Sequence, residues 1–186
     1  LGGSSSINAM ACGRGNKWDY DHWASLGNKG WSYEEVLPYF KKAEHNEMID
    51  NEYHGQDGPL NVTNSRYKNK FIDYFIDAAS KFYKINDDYN GKDQEGIGVY
   101  QLTQKNGKRC SAANAYLHPI KDRPNLTILT DTIIDRIIFD GNKATFVECL
   151  DKKNNSFQIG VKKEVILSSG AFGSPQILMR SGIGPT

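Results

Sequence analysis

The chain has 186 residues, with 23 basic and 22 acidic side chains and a formal net charge of +1. This near-neutral balance gives no electrostatic argument for binding nucleic acid. Apolar runs such as residues 165–167 are far too short to span a bilayer, so no transmembrane segment is predicted, although a peripheral membrane contact elsewhere in a longer protein stays open. The length suits one domain or parts of two.

The cysteines and histidines do not form a recognisable metal or disulfide pattern. Three cysteines are an odd number without a CxxC pair, which favours reduced thiols; they are Cys12, Cys110 and Cys149. The histidines have no HExxH-type spacing, so solvated or packing roles are favoured for them; they are His22, His45, His54 and His118. No metal site is predicted.

The first fifteen residues contain a glycine- and serine-rich turn, followed by an apolar run that begins with Ile7, Met10 and Ala11. Gly2 and Gly3 allow a positive φ and a close approach of the backbone to another group. The serines at 4–6 supply hydroxyl donors of the kind found in loops that cradle phosphate. A plain linker is the alternative interpretation of the same composition.

The next segment contains a helix signal followed by loop chemistry. Ser32 with Glu35 three residues later makes a capping box, and apolar residues at 36, 39, 40 and 43 form one helical face. Pro38 lies inside this pattern and is expected to kink the helix or split it. Residues 45–58 lose all periodicity and predict a loop, and residues 60–62 predict the start of a strand.

A second helix is predicted from Asn69, with a broad apolar and aromatic stripe that we interpret as core. Asp87 and Asp88 could suggest metal binding or acid–base work, but adjacent side chains diverge, so a solvated turn is favoured. Residues 99–103 alternate as a strand does and precede the turn residues Asn106 and Gly107.

The last third of the chain predicts mainly strands. Ser111 is expected to cap a short helix at 112–117 that Pro119 stops. A β-meander follows, with strands at 126–130, 133–139, 145–150 and 157–161. Residues 165–167 are fully apolar, as in a strand buried on both faces of a parallel sheet. They lead through a glycine turn to a helix opened by Ser174 and Pro175.

Two separated signatures then indicate a family. The first runs through residues 1–44 and includes Arg14-Gly15-Asn16 and Gly30-Trp31-Ser32-Tyr33; the second spans residues 170–178 and 181–185. Together they resemble the glucose–methanol–choline oxidoreductases, FAD-dependent enzymes that oxidise alcohols. Residues 53–60 and 106–117 are similar to the bacterial choline- and alcohol-dehydrogenase branch. Residues 11–13 and Arg180 differ from the residues that the family usually has at these positions. These differences would affect how side chains pack beside the flavin.

The resemblance implies an α/β fold, within an α+β parent protein, for an internal slice of a longer chain. Residues 1–59 would belong to a doubly wound FAD-binding domain, and residues 60–105 would begin a substrate domain built on an antiparallel sheet. Residues 106–186 would return to the FAD domain through the β-meander. The family's GxGxxG strand–turn–helix would lie upstream of Leu1, and its catalytic histidine beyond Thr186. No catalytic residue is therefore predicted here, and the isolated chain is expected to be inactive.

The resemblance also implies a set of flavin contacts. Gly2, Gly3 and Ser4 would line the pyrophosphate and ribityl region, and Asn8 and Ala9 would lie beside the isoalloxazine. The backbone of Ile134 would touch the adenine. The flavin pocket would be closed by Ser169, Gly170 and Ala171. Some relatives attach FAD through a histidine where this chain has Ile7, so the FAD is expected to be non-covalent.

The implied reaction is the oxidation of a primary alcohol, choline or another, by hydride transfer to flavin N5. The partners would be the small alcohol and an electron acceptor, either oxygen or a quinone-linked chain. Two alternatives stay open. A few relatives retain FAD but carry out redox-silent hydroxynitrile cleavage, and an isolated slice could be an inert flavin-binding fragment.

Overall fold

The computed structural model describes residues 1–185. The chain divides into two compact units, Leu1–Arg123 and Pro124–Thr186. The domain boundaries predicted after residues 59 and 105 come instead from the domain organisation that the family resemblance implies. The assignment of residues 60–105 to a substrate domain stays a prediction. The mixture of helices and sheets agrees with the predicted α/β class.

Three α-helices lie in the first unit: α1 (Lys17–Ser25), α2 (Tyr33–Ala43) and α3 (Lys70–Ala79). The predicted capping box of α2 is confirmed, because Ser32 and Glu35 cap each other reciprocally, and Pro38 leaves the helix continuous. The helix predicted from Asn69 is α3, and the Asn69 side chain caps it by accepting from the Phe71 amide.

The stripe on α3 is not core in the described residues. Phe71 and Phe75 each expose 66% of their surface, and Phe82 exposes 82%. Within residues 1–185 the interpretation of this stripe as core is therefore wrong for its aromatic rings, whereas Ile72, Ile76 and Ala79 are half-buried.

Two small sheets complete the first unit. Strand β1 (Glu44–Asn46) pairs in parallel with β2 (Leu60–Val62), so the predicted strand at 60–62 forms, and its partner overlaps the start of the predicted loop. Strands β3 (Gln104–Lys105) and β4 (Lys108–Arg109) form an antiparallel hairpin. Its turn residues, Asn106 and Gly107, both adopt a positive φ, as a two-residue hairpin requires.

Two sequence-based expectations in this unit need correction. Residues 99–103 form isolated bridges at Leu102 instead of a strand, because Leu102 pairs with Ala11 on one side and Thr63 on the other. The turn after Ser111 is a π-helix (Ala113–Leu117) that continues into a 3-10 helix (His118–Ile120). Pro119 therefore lies inside the helical segment and does not stop it.

The second unit is a three-stranded antiparallel sheet with one helix. The strands are β5 (Ile133–Asp140), β6 (Lys143–Leu150) and β7 (Ser156–Gly160), in that order, and they confirm the meander. Helix α4 (Gly170–Arg180) contacts β5, where the Ser181 hydroxyl accepts from the Ile137 amide at 2.8 Å. Ile137, Cys149 and Ile177 are its buried apolar side chains.

Three predictions for this unit are wrong. Residues 126–130 and 165–167 form no strand in the described chain, because neither segment has a paired neighbour there. Helix α4 begins at Gly170 rather than at Ser174. The Ser174 hydroxyl accepts from the Ser169 amide at 3.0 Å, so Ser174 supports the start of the helix from within its second turn.

Candidate functional site

The glycine- and serine-rich loop forms a compact turn at the start of the first unit. Gly2 and Gly3 both have positive φ, +98° and +56°, and residues Gly3–Ser6 form one turn of 3-10 helix. A Cβ on Gly2 would overlap the Ser6 hydroxyl and lie 3.3 Å from the Ala113 Cβ. Around Gly3 the same position is open. The loop therefore needs glycine for packing at Gly2 and presents an uncovered backbone at Gly3.

The three serines of this loop have different roles. Ser5 donates to the Gly2 carbonyl and accepts from the Ala112 amide at 2.8 Å, and Ser6 donates to the Leu1 carbonyl at 2.7 Å. Ser4 is exposed, and its hydroxyl has no hydrogen-bond partner among residues 1–185. Two hydroxyls thus hold the turn together, while the third remains available to a ligand.

Asn8 follows the turn and is exposed, as is Ala9. The Asn8 side-chain oxygen accepts from the Met10 amide at 3.1 Å and from Arg109 Nη1 at 2.8 Å. Arg109 also donates to the carbonyls of Ser5 and Asn8, at 2.9 and 2.8 Å. The hairpin of β3 and β4 therefore holds this side of the loop.

The chain after Asn8 is hydrogen-bonded to distant parts of the same unit. Met10 accepts from the Thr103 amide at 2.9 Å, and Cys12 donates its amide to the Gln101 carbonyl at 2.8 Å. The Asn90 amide group donates to the Cys12 carbonyl at 2.8 Å, and Tyr89 donates to the same oxygen. These contacts fix the segment that follows the predicted flavin loop.

Behind this segment lies a buried chain of alternating charges. Arg14 Nη2 donates to Glu44 Oε2 at 2.7 Å, and the side chains are only 6% and 5% exposed. The fully buried ring of His54 lies between the carboxylates of Glu44 and Asp88, with Nδ1–Oε2 at 3.1 Å and Nε2–Oδ1 at 2.9 Å. Two carboxylates, one guanidinium and one imidazolium give no net charge, which is how buried ions are tolerated.

The surroundings of these groups shift their pKa values in opposite directions. Burial opposes the charged form of His54, but the hydrogen bonds and charges of Glu44 and Asp88 outweigh it and raise the pKa of the imidazole. Burial likewise opposes ionisation of Glu44, yet His54 and Arg14 hold the pKa of its carboxyl below its ordinary value. Both shifts favour the ionised pair.

Sequence reasoning missed this network. His54 is one of the scattered histidines for which the sequence favours a solvated or packing role, and Asp88 was interpreted as part of a solvated turn. The second interpretation is wrong, because Asp88 is half-buried and accepts from His54. No local signal could have paired them, since 34 positions separate the two residues.

The other predicted site residues lie in the second unit. Ile134 is half-buried in β5, opposite Cys149 of β6. Ser169 precedes α4, Gly170 begins it with a φ of +83°, and Ala171 follows; all three are exposed. The structure thus groups Ser169, Gly170 and Ala171 at one helix start.

The five residues of the first unit are also neighbours, since Gly2, Gly3, Ser4, Asn8 and Ala9 belong to one loop. Gly2, Gly3 and Gly170 all have a positive φ. This is the backbone conformation for which glycine is expected in a turn. The contacts of all nine residues with a flavin stay predictions.

Three further observations bear on the chemistry. The three cysteines are free thiols. Within residues 1–185, no group of three or more His, Cys, Asp and Glu side chains is arranged to hold a metal ion. Among the described helices, none has the length and apolar character needed to cross a membrane.

Comparison with known proteins gives consistent matches. A family model described as GMC oxidoreductase matches residues 1–186. The oxygen-dependent choline dehydrogenase of Yersinia pseudotuberculosis is 46% identical over 190 aligned positions, covering 100% of this chain and 34% of that protein. The mitochondrial choline dehydrogenase of Mus musculus is 45% identical over 184 residues, covering 98% of this chain and 31% of that protein. The chain thus spans about a third of the length of these relatives.

Solved structures agree with the sequence matches. The pyridoxine 4-oxidase from Mesorbium loti has a TM-score of 0.90 and 30% identity, with 98% of this chain and 36% of that chain covered. An FAD-dependent oxidoreductase from Chaetomium thermophilum has a TM-score of 0.88 and 30% identity, with 98% and 34% covered. The family model extends over the whole chain, and both kinds of relative agree with it. The chain belongs to the GMC oxidoreductase family.

Proposed function

We propose that this chain is the flavin-contacting segment of a longer FAD-dependent oxidoreductase that oxidises the CH–OH group of a primary alcohol. The observation that carries the proposal is the loop of residues 2–9 in a chain of the GMC family. In this loop the Ser4 hydroxyl and the Asn8 amide nitrogen are exposed, and neither has a partner among residues 1–185. The rest of the loop is held rigidly from behind by Ser5 and Arg109.

The residues of the loop fit the chemistry of FAD. Pyrophosphate oxygens and ribityl hydroxyls call for N–H and O–H donors on a backbone that can be approached closely. Gly3 supplies the open backbone, and Ser4 supplies the hydroxyl. The carbonyl and nitrogen acceptors of the isoalloxazine call for amide donors, which the Asn8 side chain supplies.

FAD, when bound, supplies the hydride acceptor for the oxidation of the alcohol. Gly2, Gly3 and Ser4 would bind its pyrophosphate and ribityl region, and Asn8 and Ala9 would orient the ring. For the second unit, the family resemblance assigns flavin contacts to Ile134, Ser169, Gly170 and Ala171. The sequence contains no GxGxxG motif, so the ADP half would be bound mainly by another part of that protein.

The base that takes the hydroxyl proton is also proposed to lie in another part of the longer protein. Among the histidines of this chain, His54 has the most strongly structured surroundings, but both of its ring nitrogens are engaged by carboxylates and it is fully buried. A group so placed cannot reach a substrate, which argues that His54 supports the fold.

The proposed substrate is a small primary alcohol, with choline as the first candidate. The support is the 45–46% identity, over essentially the whole chain, to proteins named choline dehydrogenases. The electron acceptor would be oxygen or a quinone-linked chain, and the FAD would be held without a covalent bond.

The test is anaerobic mixing of the full-length protein with choline and with other primary alcohols, while the flavin absorbance is followed. Bleaching by a primary alcohol but not by a tertiary alcohol is expected, because a tertiary carbinol has no hydride to give. Protein without FAD, or bound FAD that no alcohol bleaches, would overturn the proposal. Cleavage of a hydroxynitrile without bleaching would support the redox-silent alternative.

A further inference from the structure

The orientation of the Asn8 amide is determined by its neighbours. Its Oδ1 is approached by two N–H donors, the Met10 backbone amide at 3.1 Å and Arg109 Nη1 at 2.8 Å. A guanidinium has donors and no acceptor, so the atom facing Arg109 must be the amide oxygen. The reversed amide would place N–H groups against both donors.

This orientation leaves the amide nitrogen of Asn8 available. Nδ2 carries two N–H donors, and no acceptor for them exists among residues 1–185. Asn8 is also exposed, so a ligand can reach the nitrogen. The side chain therefore presents a donor on its outer side and hides its acceptor against Arg109.

Arg109 holds the backbone of the loop as well as the side chain. Nη1 also donates to the Ser5 carbonyl at 2.9 Å, and Nη2 donates to the Asn8 carbonyl at 2.8 Å. One planar guanidinium thus contacts three oxygens that span the end of the 3-10 turn. A lysine ammonium, as a point charge, lacks this fork geometry.

The backbone of Arg109 is itself fixed. Arg109 pairs with Gln104 in the hairpin of β3 and β4, and the next residue, Cys110, donates its amide to the Thr103 carbonyl at 2.9 Å. The guanidinium therefore projects from a short, paired strand rather than from a free loop. Such support is what a residue needs to set the geometry of another.

We propose that Arg109 is a positioning residue that fixes the Asn8 amide with its NH₂ group toward the flavin ring. The inference rests on the proposed function and adds to it a residue that does not itself touch the flavin. A correctly turned NH₂ group donates to ring acceptors that become more electron-rich on reduction, which stabilises the reduced form. Arg109 would thus raise the reduction potential of the flavin through Asn8.

The test is a double-mutant cycle in the full-length protein, read out as the flavin midpoint potential and the FAD dissociation constant. The variants are Arg109→Met, Asn8→Ala and the two combined. Lys108→Met is the matched control, because Lys108 is adjacent and exposed, and its side chain has no hydrogen bond or ion pair within the described residues. It removes the same charge without touching Asn8.

Arg109→Met and Asn8→Ala are each expected to lower the midpoint potential and to weaken FAD binding by about tenfold, the effect of one charge-assisted hydrogen bond. The key expectation is non-additivity: Arg109→Met should change the potential little in the Asn8→Ala background. Lys108→Met should leave both quantities unchanged. An equal shift from Arg109→Met in both backgrounds would overturn the proposal, since Arg109 would then act by charge alone.

A second cycle covers the case in which Arg109→Met fails to fold. Arg109→Lys retains the charge but cannot serve all three oxygens, so it should lower the potential when Asn8 is present and leave it unchanged in the Asn8→Ala background. An unchanged potential in Arg109→Lys alone would overturn the inference while leaving the proposed function intact. A wild-type protein that binds no FAD would overturn the proposed function and the role of Arg109 together.

Discussion

Arg14 and Glu44 form a 2.7 Å ion pair in which both side chains are almost fully buried. Arg14 comes from the segment that follows the predicted flavin loop, and Glu44 begins β1 directly after helix α2. The pair therefore ties the loop segment to the helical part of the first unit. Glu44 also contacts His54, so loss of Arg14 would leave a buried carboxylate only partly compensated.

The charge network predicts a pH dependence of stability. The pKa of His54 is raised in the folded protein, so its contribution is fully present below the ordinary value of 6.5 and is lost as the pH rises through the folded value. Relative to His54→Gln, the wild type should show its largest advantage in melting temperature at about pH 6 and a smaller one at about pH 9.

The matched control for this measurement is His118→Gln, because His118 is exposed and its side chain has no hydrogen-bond partner among the described residues. The melting temperature of His118→Gln should be close to that of the wild type at both pH values. The prediction is wrong if the melting temperatures of the wild type and His54→Gln differ by the same amount at both pH values. It is also wrong if that difference grows with pH, because either result would contradict a protonated His54.

Two glycines of the first unit provide a matched test of the loop. Gly2 and Gly27 have the same φ, +98°, but a Cβ at Gly2 would overlap Ser6, whereas a Cβ at Gly27 has open space. Gly27→Ala should lower the free energy of unfolding by roughly 1 kcal/mol, which is the cost of a Cβ on a left-handed backbone. Gly2→Ala should cost more and should also weaken FAD binding, because the turn must shift. Equal FAD dissociation constants for the two variants in the full-length protein would contradict this.

Asn8→Asp should weaken FAD binding or lower the flavin reduction potential in the full-length protein. A carboxylate has no N–H to donate and places negative charge beside a ring that gains electrons on reduction. Asn106→Asp is the control, since Asn106 is exposed and lies in the hairpin turn of the same unit. The idea fails if FAD occupancy and potential are the same in wild type and Asn8→Asp.

The flavin should be released by acid precipitation of the full-length protein, with the yellow colour in the supernatant. Ile7 is 86% exposed and has no nucleophilic atom for a covalent link. The nearest thiol is also unsuited, because burial and then the Glu44 carboxylate raise the pKa of Cys12 to about 11. Colour in the pellet, together with a flavin-bearing peptide from residues 1–15, would contradict this prediction.

Local patterns predicted the local features well. The Ser32–Glu35 capping box, the helix start at Asn69 and the turn at Asn106 each depend on residues within a few positions of one another, and all three form. Strands that need a distant partner were less predictable. Residues 165–167 have the composition of a buried strand, but a strand forms only where a neighbour offers hydrogen bonds.

The candidate site likewise combines local features that the sequence predicts with long-range contacts that it does not predict. The left-handed glycines at positions 2 and 3 follow from composition, because few other residues adopt that conformation. The Arg109–Asn8 contact joins residues 101 positions apart, and nothing near either residue in the sequence indicates the other. The same holds for His54 with Asp88. Long-range polar contacts of this kind depend on how the whole unit folds.

The loop of residues 2–9 is proposed to contact the flavin, with the Asn8 NH₂ group facing the ring. The most direct measurement is the structure of the full-length protein with FAD bound, read as the distance from Asn8 Nδ2 to the nearest flavin nitrogen or oxygen. We expect a hydrogen-bond distance of about 3 Å, with Oδ1 still facing Arg109. A flavin bound away from this loop, or an Asn8 amide turned with its oxygen toward the ring, would contradict it.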